Sequence, residues 1–316
     1  MKNVVANDRS LPTARRRFPY MKENLELYSL FLPAAVLIFI FCYIPLGGLV
    51  IAFQDYLAGN PMFALSGVKW VWLKHFQRFI KSVYFERLIG NTLRLSVLNL
   101  AFGFTMPIIF ALLLNEVRNL KYKKFVQTAS YLPYFISTVV AAGMMISFLE
   151  MGGVVNSVLG VLGIPAKEYI AYPDYYPTLY TVTNVWKNFG FSSILYFSTI
   201  SSIDPVLYES ARMDGANRWQ QMRHITLPGI KFIIAVQLVL KMGSILESNT
   251  DLALLLYRPS TYSMADVIGT YVYREGIQGG KYSYTTAIGL FMSVIGFILT
   301  YITNRISNKL TGYGMW

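Results

Sequence analysis

Tyr28–Phe53 contains no Asp, Glu, Lys or Arg. A helix needs about 20 such residues to cross the hydrocarbon core of a bilayer. In lipid every backbone group must be satisfied within the segment, so a run of this kind becomes a spanning helix. Further apolar runs follow, and none shows the alternation that a β-barrel strand requires. Only 14% of the residues are charged, against about 25% in soluble domains. The chain reads as an all-α polytopic membrane protein with six spans, at 28–53, 92–114, 126–148, 177–199, 230–246 and 286–303.

The first 24 residues are polar and basic, and the run after them is too long for a secretory signal core, so it is expected to remain as a membrane helix. Pro33, Pro45, Pro107 and Pro133 lie within or near spans, where neighbouring groups can satisfy the freed carbonyls. The fifth span is the shortest, carries Lys241, and is expected to continue past Glu247 as a polar segment. With the N-terminus inside, the inner segments hold 15 basic residues, beginning with Lys2, Arg9 and Arg15, and the outer loops hold nine. Lys and Arg are enriched in cytoplasmic loops, so both termini are expected there. This gives an N-terminal tail over 1–27, a membrane domain over 28–303 and a C-terminal tail over 304–316. The net charge of +12 is read as this bias rather than as affinity for nucleic acid. Cys42 is the sole cysteine, and His75 and His224 lack metal-ligand spacing, so no metal site is expected.

Segment 68–87 resists the charge rule. Lys69, Lys74, Arg78, Lys81 and Arg87 alternate with aromatic residues on the outer side. Apolar positions 72, 76, 79, 80 and 83 share one helical face, which predicts an amphipathic helix at the outer interface. Its charges suit anionic lipid headgroups, or an anionic saccharide of the alginate or pectin type; the interfacial placement favours the lipid. Asn91-Thr92 offers a cap for the second span.

Residues 204–228 form a polar loop on the inner side. Asp204-Pro205 caps and starts a helix. Glu209 stands beside the small residues Ser210 and Ala211. Asp214-Gly215-Ala216 supplies a bend, since Gly215 adopts backbone conformations closed to other residues. Trp219 and Met222 give an apolar face after it, and Leu227-Pro228 ends the element. On residue types alone this is either a rigid knob offered to a soluble partner or an interfacial helix that anchors the loop.

Glu209-Ser210-Ala211, Gly215, Ile225 and Leu227-Pro228 resemble the EAA loop of binding-protein-dependent type I ABC importers, in full spacing. Ser210 stands where the family pattern has alanine. Gln127-Thr128 with Tyr131-Leu132-Pro133, Trp186-Lys187, Gly190-Phe191, and Asp266-Val267-Ile268 with Tyr271-Val272-Tyr273 extend the resemblance to carbohydrate permeases of the maltose-importer group. The resemblance implies a coupling helix that docks on a cytoplasmic ATPase through residues 209–215. It implies a second permease subunit, two ATPase subunits, an extracytoplasmic binding protein facing loop 247–284, and a bacterial inner membrane. ATP and magnesium would belong to the ATPase. This chain has no phosphate-binding loop, because Gly279-Gly280-Lys281 lacks the spacing and a following helix. It is therefore read as a non-catalytic subunit that binds no cofactor.

Polar residues within spans are candidates for the solute path. Lys187 lies beside Trp186 and Asn188, an arrangement suited to a sugar ring, or else Lys187 pairs with backbone carbonyls or a companion-subunit acid. Lys241 carries the same choice. Asn99, Asn184 and Asn188 line the path or bond across helices. Arg94, near a span end, is expected to snorkel. A gradient-driven secondary transporter predicts acids within the spans and inverted repeats; neither is found. A permease for a non-sugar solute, or an anchored assembly protein, is a further alternative, and the second leaves the loop spacing unexplained.

Overall fold

The computed structural model describes residues 25–57, 59 and 67–316. The basic tail expected at 1–27 lies almost wholly outside them. Among the described residues the regular elements are helices, with one antiparallel bridge between Gln54 and Trp70. Leu30, Phe31 and Phe41 of the first long helix are 78%, 65% and 71% exposed. A water-soluble surface avoids apolar patches of this kind, whereas hydrocarbon accepts them.

Four helices among the described residues are long and apolar enough to cross a membrane: Leu27–Phe53, Phe85–Asn115, Thr138–Val161 and Tyr282–Thr311. Arg218–Gly229 and Lys231–Gly243, bent by 57°, add a fifth if the pair is one span. The segment expected as the fourth span is the 26-residue helix Tyr176–Ser201, which lies outside that count. At about 1.5 Å per residue it is long enough to cross. Its shortfall is in apolarity, since it carries Thr178, Thr181, Thr183, Asn184, Lys187 and Asn188. Such residues enter a membrane facing a protein interior, and Thr181 and Thr183 are buried.

The segment expected as one span over 126–148 is divided. Leu120–Tyr131 runs into the tight turn Leu132–Phe135, Ile136 is extended, and Thr138–Leu149 starts afresh. Pro133 has no N–H to continue the helical ladder. Ser137 Oγ then accepts from the Val140 N–H at 3.3 Å, capping the new helix.

The second spanning helix starts at Phe85, ahead of the expected residue 92. Asn91 and Thr92 therefore lie inside it and are not its cap. Asn91 Nδ2 donates to the carbonyls of Ser263 and Asp266, and Thr92 Oγ1 accepts from the Ile268 N–H. They hold loop 247–284 against the bundle. Segment 68–87 is not one helix. Trp72 has a φ of 51°, incompatible with a right-handed helix, and only Lys74–Ile80 winds up before Phe85. Of the five apolar positions expected on one face, Phe79 alone is buried, meeting Phe85 and Phe291 edge-on.

Tyr176–Ser201 joins two buried clusters. Tyr176 and Tyr180 pack with Leu252 and Leu256 at its start, and Tyr196 and Ile200 pack with Ile108 and Ile230 near its end. Midway, a Cβ on Gly190 would lie 2.0 Å from the Ser130 carbonyl oxygen. Tyr176–Ser201 and Leu120–Tyr131 thus meet backbone to backbone, as small residues permit. Gly190→Val is expected to cost about 3 kcal/mol and to lower the melting midpoint in detergent. Gly143→Ala, whose Cβ meets nothing within 4 Å, is not expected to lower it.

Candidate functional site

Asp204 accepts from the Val206 N–H at 2.9 Å, and Pro205 occupies the first helical position, where no N–H is needed. Pro205–Met213 follows. The Gly215 N–H bonds the Arg212 carbonyl at 3.0 Å, and the Ala216 N–H bonds the Ala211 carbonyl at 2.8 Å. These are the two bonds of a Schellman stop. Gly215 has a φ of 81°, a left-handed conformation that costs an L residue about 1–2 kcal/mol. The next helix starts at once. The Gln220 N–H donates to Asn217 Oδ1 at 2.9 Å, and the Asn217 N–H donates to Gln220 Oε1 at 2.8 Å, a reciprocal cap. Gln221 Nε2 donates to the Ala216 carbonyl at 2.8 Å. The bend expected at Gly215 is therefore two caps set back to back.

The second half differs from expectation in one respect. Leu227-Pro228 does not end the element: Leu227–Gly229 is helical and the break falls at Ile230. A wide π-helical turn over Met222–Thr226 precedes it, so Pro228 enters near the start of a new turn, where its missing N–H is tolerated. Ile230 is fully buried, which fixes the bend into Lys231–Gly243.

Three contacts fix this loop, the first between its two halves, the second to the end of the Phe85–Asn115 helix and the third across its base. Tyr208 Oη and Thr226 Oγ1 are 3.0 Å apart. Arg218 Nη1 donates to the Glu116 carbonyl at 3.3 Å, with the Glu116 carboxylate 3.9 Å away. Gly229 sits so close to Ile203 that a Cβ would meet its side chain at 2.5 Å. Burial holds the Lys123 ammonium below its ordinary value, and the nearby Glu116 charge offsets only part of that.

Glu209, Ser210, Asp214 and Gly215 remain exposed, and Ala211 and Ala216 are half-buried. Met213 is 89% exposed and Val206 58%. They are seven residues apart and so share a helical face, a spacing readable in the sequence. The tip thus combines an acid, small side chains and an uncovered apolar stripe. Trp219 and Leu227 belong to a second surface, an apolar groove they line with Ile109, Leu112, Leu113 and Met222.

Inside the bundle, Asn184 is a hub. Its Nδ2 donates to Asn99 Oδ1 at 2.7 Å, and Asn188 Nδ2 donates to the Asn184 carbonyl at 2.8 Å and to its Oδ1 at 3.1 Å. Asn249 Nδ2 reaches the same Oδ1 at 3.4 Å. Asn249 was missed in the sequence, although an Asn before the apolar run Thr250–Leu256 is a helix-start signal. Lys241 lines a crevice with Asn99, Ser96, Ser244 and Glu247, beside this chain of amides. Its helix stops at Gly243 and does not continue past Glu247.

Lys187 and Trp186 do not converge. Lys187 Nζ donates to the Tyr134 carbonyl at 3.1 Å, and Tyr134 stacks on Phe191 at 3.9 Å. Trp186 lines an apolar groove with Leu98, Phe102, Met106 and Phe189. Adjacent residues on a helix point about 100° apart, so Trp186 and Lys187 face different surroundings, and Lys187 takes the backbone-carbonyl partner that was one of its two expected roles. Arg94 reaches Met264 Sδ and is not left to snorkel. Gly279-Gly280-Lys281 is followed by a helix, Tyr282–Thr311, contrary to the sequence reading; the spacing of a phosphate loop is still absent.

The geometry has close counterparts among solved structures. A bacterial ABC transporter involved in the import of the acidic polysaccharide alginate contains a chain 43% identical to this one, with a TM-score of 0.83, over 92% of this chain and 98% of that one. A bacterial alginate ABC transporter in complex with alginate pentasaccharide-bound periplasmic protein gives a TM-score of 0.85 at 42% identity, over 95% and 100%. The polygalacturonan/rhamnogalacturonan transport system permease protein YteP of Bacillus subtilis is 41% identical over 295 residues, 93% of this chain and 91% of that protein. Protein LplB of the same organism is 38% identical over 297 residues, 94% and 92%. Residues 103–312 match the family described as binding-protein-dependent transport system inner membrane component. That stretch includes the capped bend at Gly215 and most of the amide chain, and the chain belongs to this family.

Proposed function

We propose that this chain is the permease subunit of an ATP-driven importer that moves oligosaccharide or polysaccharide chains bearing uronic acids across a bacterial cytoplasmic membrane. The observation that carries the reading is the capped Pro205–Met213 knob, whose exposed tip of Glu209, Ser210, Met213 and Asp214 is held rigidly on a membrane bundle. A rigid helix with an uncovered apolar stripe and acids suits a complementary groove on a soluble ATPase. Two such ATPases, each holding ATP and magnesium, drive a pair of permeases loaded by an extracytoplasmic binding protein. The excess of Lys and Arg in the inner segments supports six spans with both termini inside, and so a cytoplasmic knob. Closure of the ATPases then moves the knob, and the spans rock between outward-facing and inward-facing states. The saccharide cargo is supported by relatives named for polygalacturonan/rhamnogalacturonan transport and for alginate import. Asn99, Asn184, Asn188, Asn249 and Lys241 supply amide and ammonium groups for hydroxyls and carboxylates along the path.

The test is ATP-dependent uptake by proteoliposomes holding the complete importer. Galacturonate oligomers are expected to enter and neutral glucose oligomers of equal length to be excluded. Equal uptake of both removes the anionic assignment, and uptake of neither removes the saccharide assignment.

A further inference from the structure

The loop before Tyr176–Ser201 carries Tyr169, Tyr172 and Tyr175 at intervals of three. The backbone there forms two successive 3₁₀ turns, Tyr169–Ala171 and Pro173–Tyr175. Tyr172, between the two turns, is extended, so the chain changes direction there and folds the segment back on itself. The rings of Tyr169 and Tyr172 both meet that of Tyr175 edge-on, at 5.1 Å and 82° and at 6.3 Å and 85°. Lys167 Nζ lies 4.0 Å from the Tyr172 ring centre and 4.8 Å from that of Tyr175.

The base of this ladder is rigid. Asn156 is buried, and it clasps Lys167 from both sides of the peptide: its Oδ1 accepts from the Lys167 N–H at 2.9 Å, and its Nδ2 donates to the Lys167 carbonyl at 3.0 Å. Ile170, within the stretch, and Tyr176, directly after it, are buried in one cluster. Tyrosines placed for packing are covered here, as Tyr176 and Tyr180 are. Tyr172 and Tyr175 instead remain 46% and 37% exposed. The ladder also sits at a defined end of the molecule. Tyr176–Ser201 begins directly after it and ends just before Pro205–Met213. At about 1.5 Å per residue, that helix separates ladder and knob by roughly 40 Å, so they lie at opposite ends of the bundle.

We propose that Tyr169, Tyr172, Tyr175 and Lys167 form an auxiliary docking site for a saccharide chain at the outer mouth. Tyrosine offers a broad rigid face with a polar edge at low entropic cost, which matches the C–H face and rim hydroxyls of a pyranose. The Lys167 ammonium, held among the rings, adds selectivity for a carboxylate on the sugar. The ladder would hold the trailing part of a chain whose leading end has entered the bundle. This rests on the saccharide reading above.

The test uses the purified complete importer and a galacturonate pentamer, with binding read by saturation-transfer NMR. Tyr172→Ala with Tyr175→Ala is expected to weaken the pentamer signal about five-fold, the scale of one aromatic contact. Tyr172→Phe with Tyr175→Phe retains most of it, because the ring faces remain. Lys167→Gln reduces the preference for galacturonate over a neutral glucose pentamer. An undiminished signal in the double alanine variant overturns the ladder, as does equal loss in the phenylalanine pair. ATP-driven uptake by the unsubstituted importer separates the two readings. Uptake of galacturonate with an unaffected double alanine variant removes only the ladder; absence of saccharide uptake removes the cargo assignment.

Discussion

Gly215→Val is expected to leave the chain in the membrane and to reduce ATP-driven uptake at least about ten-fold, a loss that corresponds to about 1.4 kcal/mol. A Cβ at this position meets nothing within 4 Å, so the effect is on the backbone alone. The φ of 81° is closed to a β-branched residue, and the strain is about 1–3 kcal/mol. Relaxing it opens the Schellman bonds to Ala211 and Arg212, and the knob loses its fixed angle to Arg218–Gln221. Gly215→Asn is the control, because asparagine enters the left-handed region routinely; it is expected to keep most of the uptake. Uptake in proteoliposomes, scaled to the amount of inserted chain, checks both.

Asp266→Ala is expected to be the most destabilising change in loop 247–284. The Asp266 side chain is fully buried and accepts from Arg87 at 2.9 Å, from Arg274 at 3.0 and 3.2 Å, and from Thr270 at 2.9 Å. Removing it leaves two guanidinium groups facing each other without their shared counter-charge. Breaking a buried pair costs about 3–5 kcal/mol; the lower end applies, because Arg87 and Arg274 are 36% and 28% exposed. The melting midpoint in detergent should fall sharply. Adding Arg87→Met should restore part of the loss, since the orphaned cation is then gone, and a double-mutant cycle measures that coupling. Equal destabilisation with and without Arg87 would remove the ion cluster as the cause.

These two positions also show what could be read in advance. Gly215 was legible because a polar loop with Asp-Gly between two helical patterns demands a stop and a start, which are local matters of capping. The membrane class was legible because bilayer thickness sets a length that Tyr28–Phe53 meets. The broken third segment was half legible: Pro133 stands in plain view within the expected span, while Ser137 as the cap of a new helix becomes apparent only once the break is known. Asn91 and Thr92 show a different limit. Their residue types fit a helix cap, and the partners that claimed them, Ser263, Asp266 and Ile268, lie far along the chain. Lys187 shows the same: nothing local reveals that the Tyr134 carbonyl is within its reach. The amide chain needed three helices brought together before Asn249 could join Asn99 and Asn184.

The central claim is that the tip of Pro205–Met213 is where an ATPase engages this permease. Cys42 is the sole cysteine, so Cys42→Ser with Ser210→Cys places one thiol at the exposed tip beside Glu209. A short thiol-to-amine cross-linker, applied to the complete importer, is then read on a gel. The account predicts a cross-linked product joining this chain to the ATPase subunit, lost together with ATPase co-purification when Glu209→Lys is added. An ATPase that co-purifies undiminished with Glu209→Lys, and never cross-links from residue 210, would contradict it.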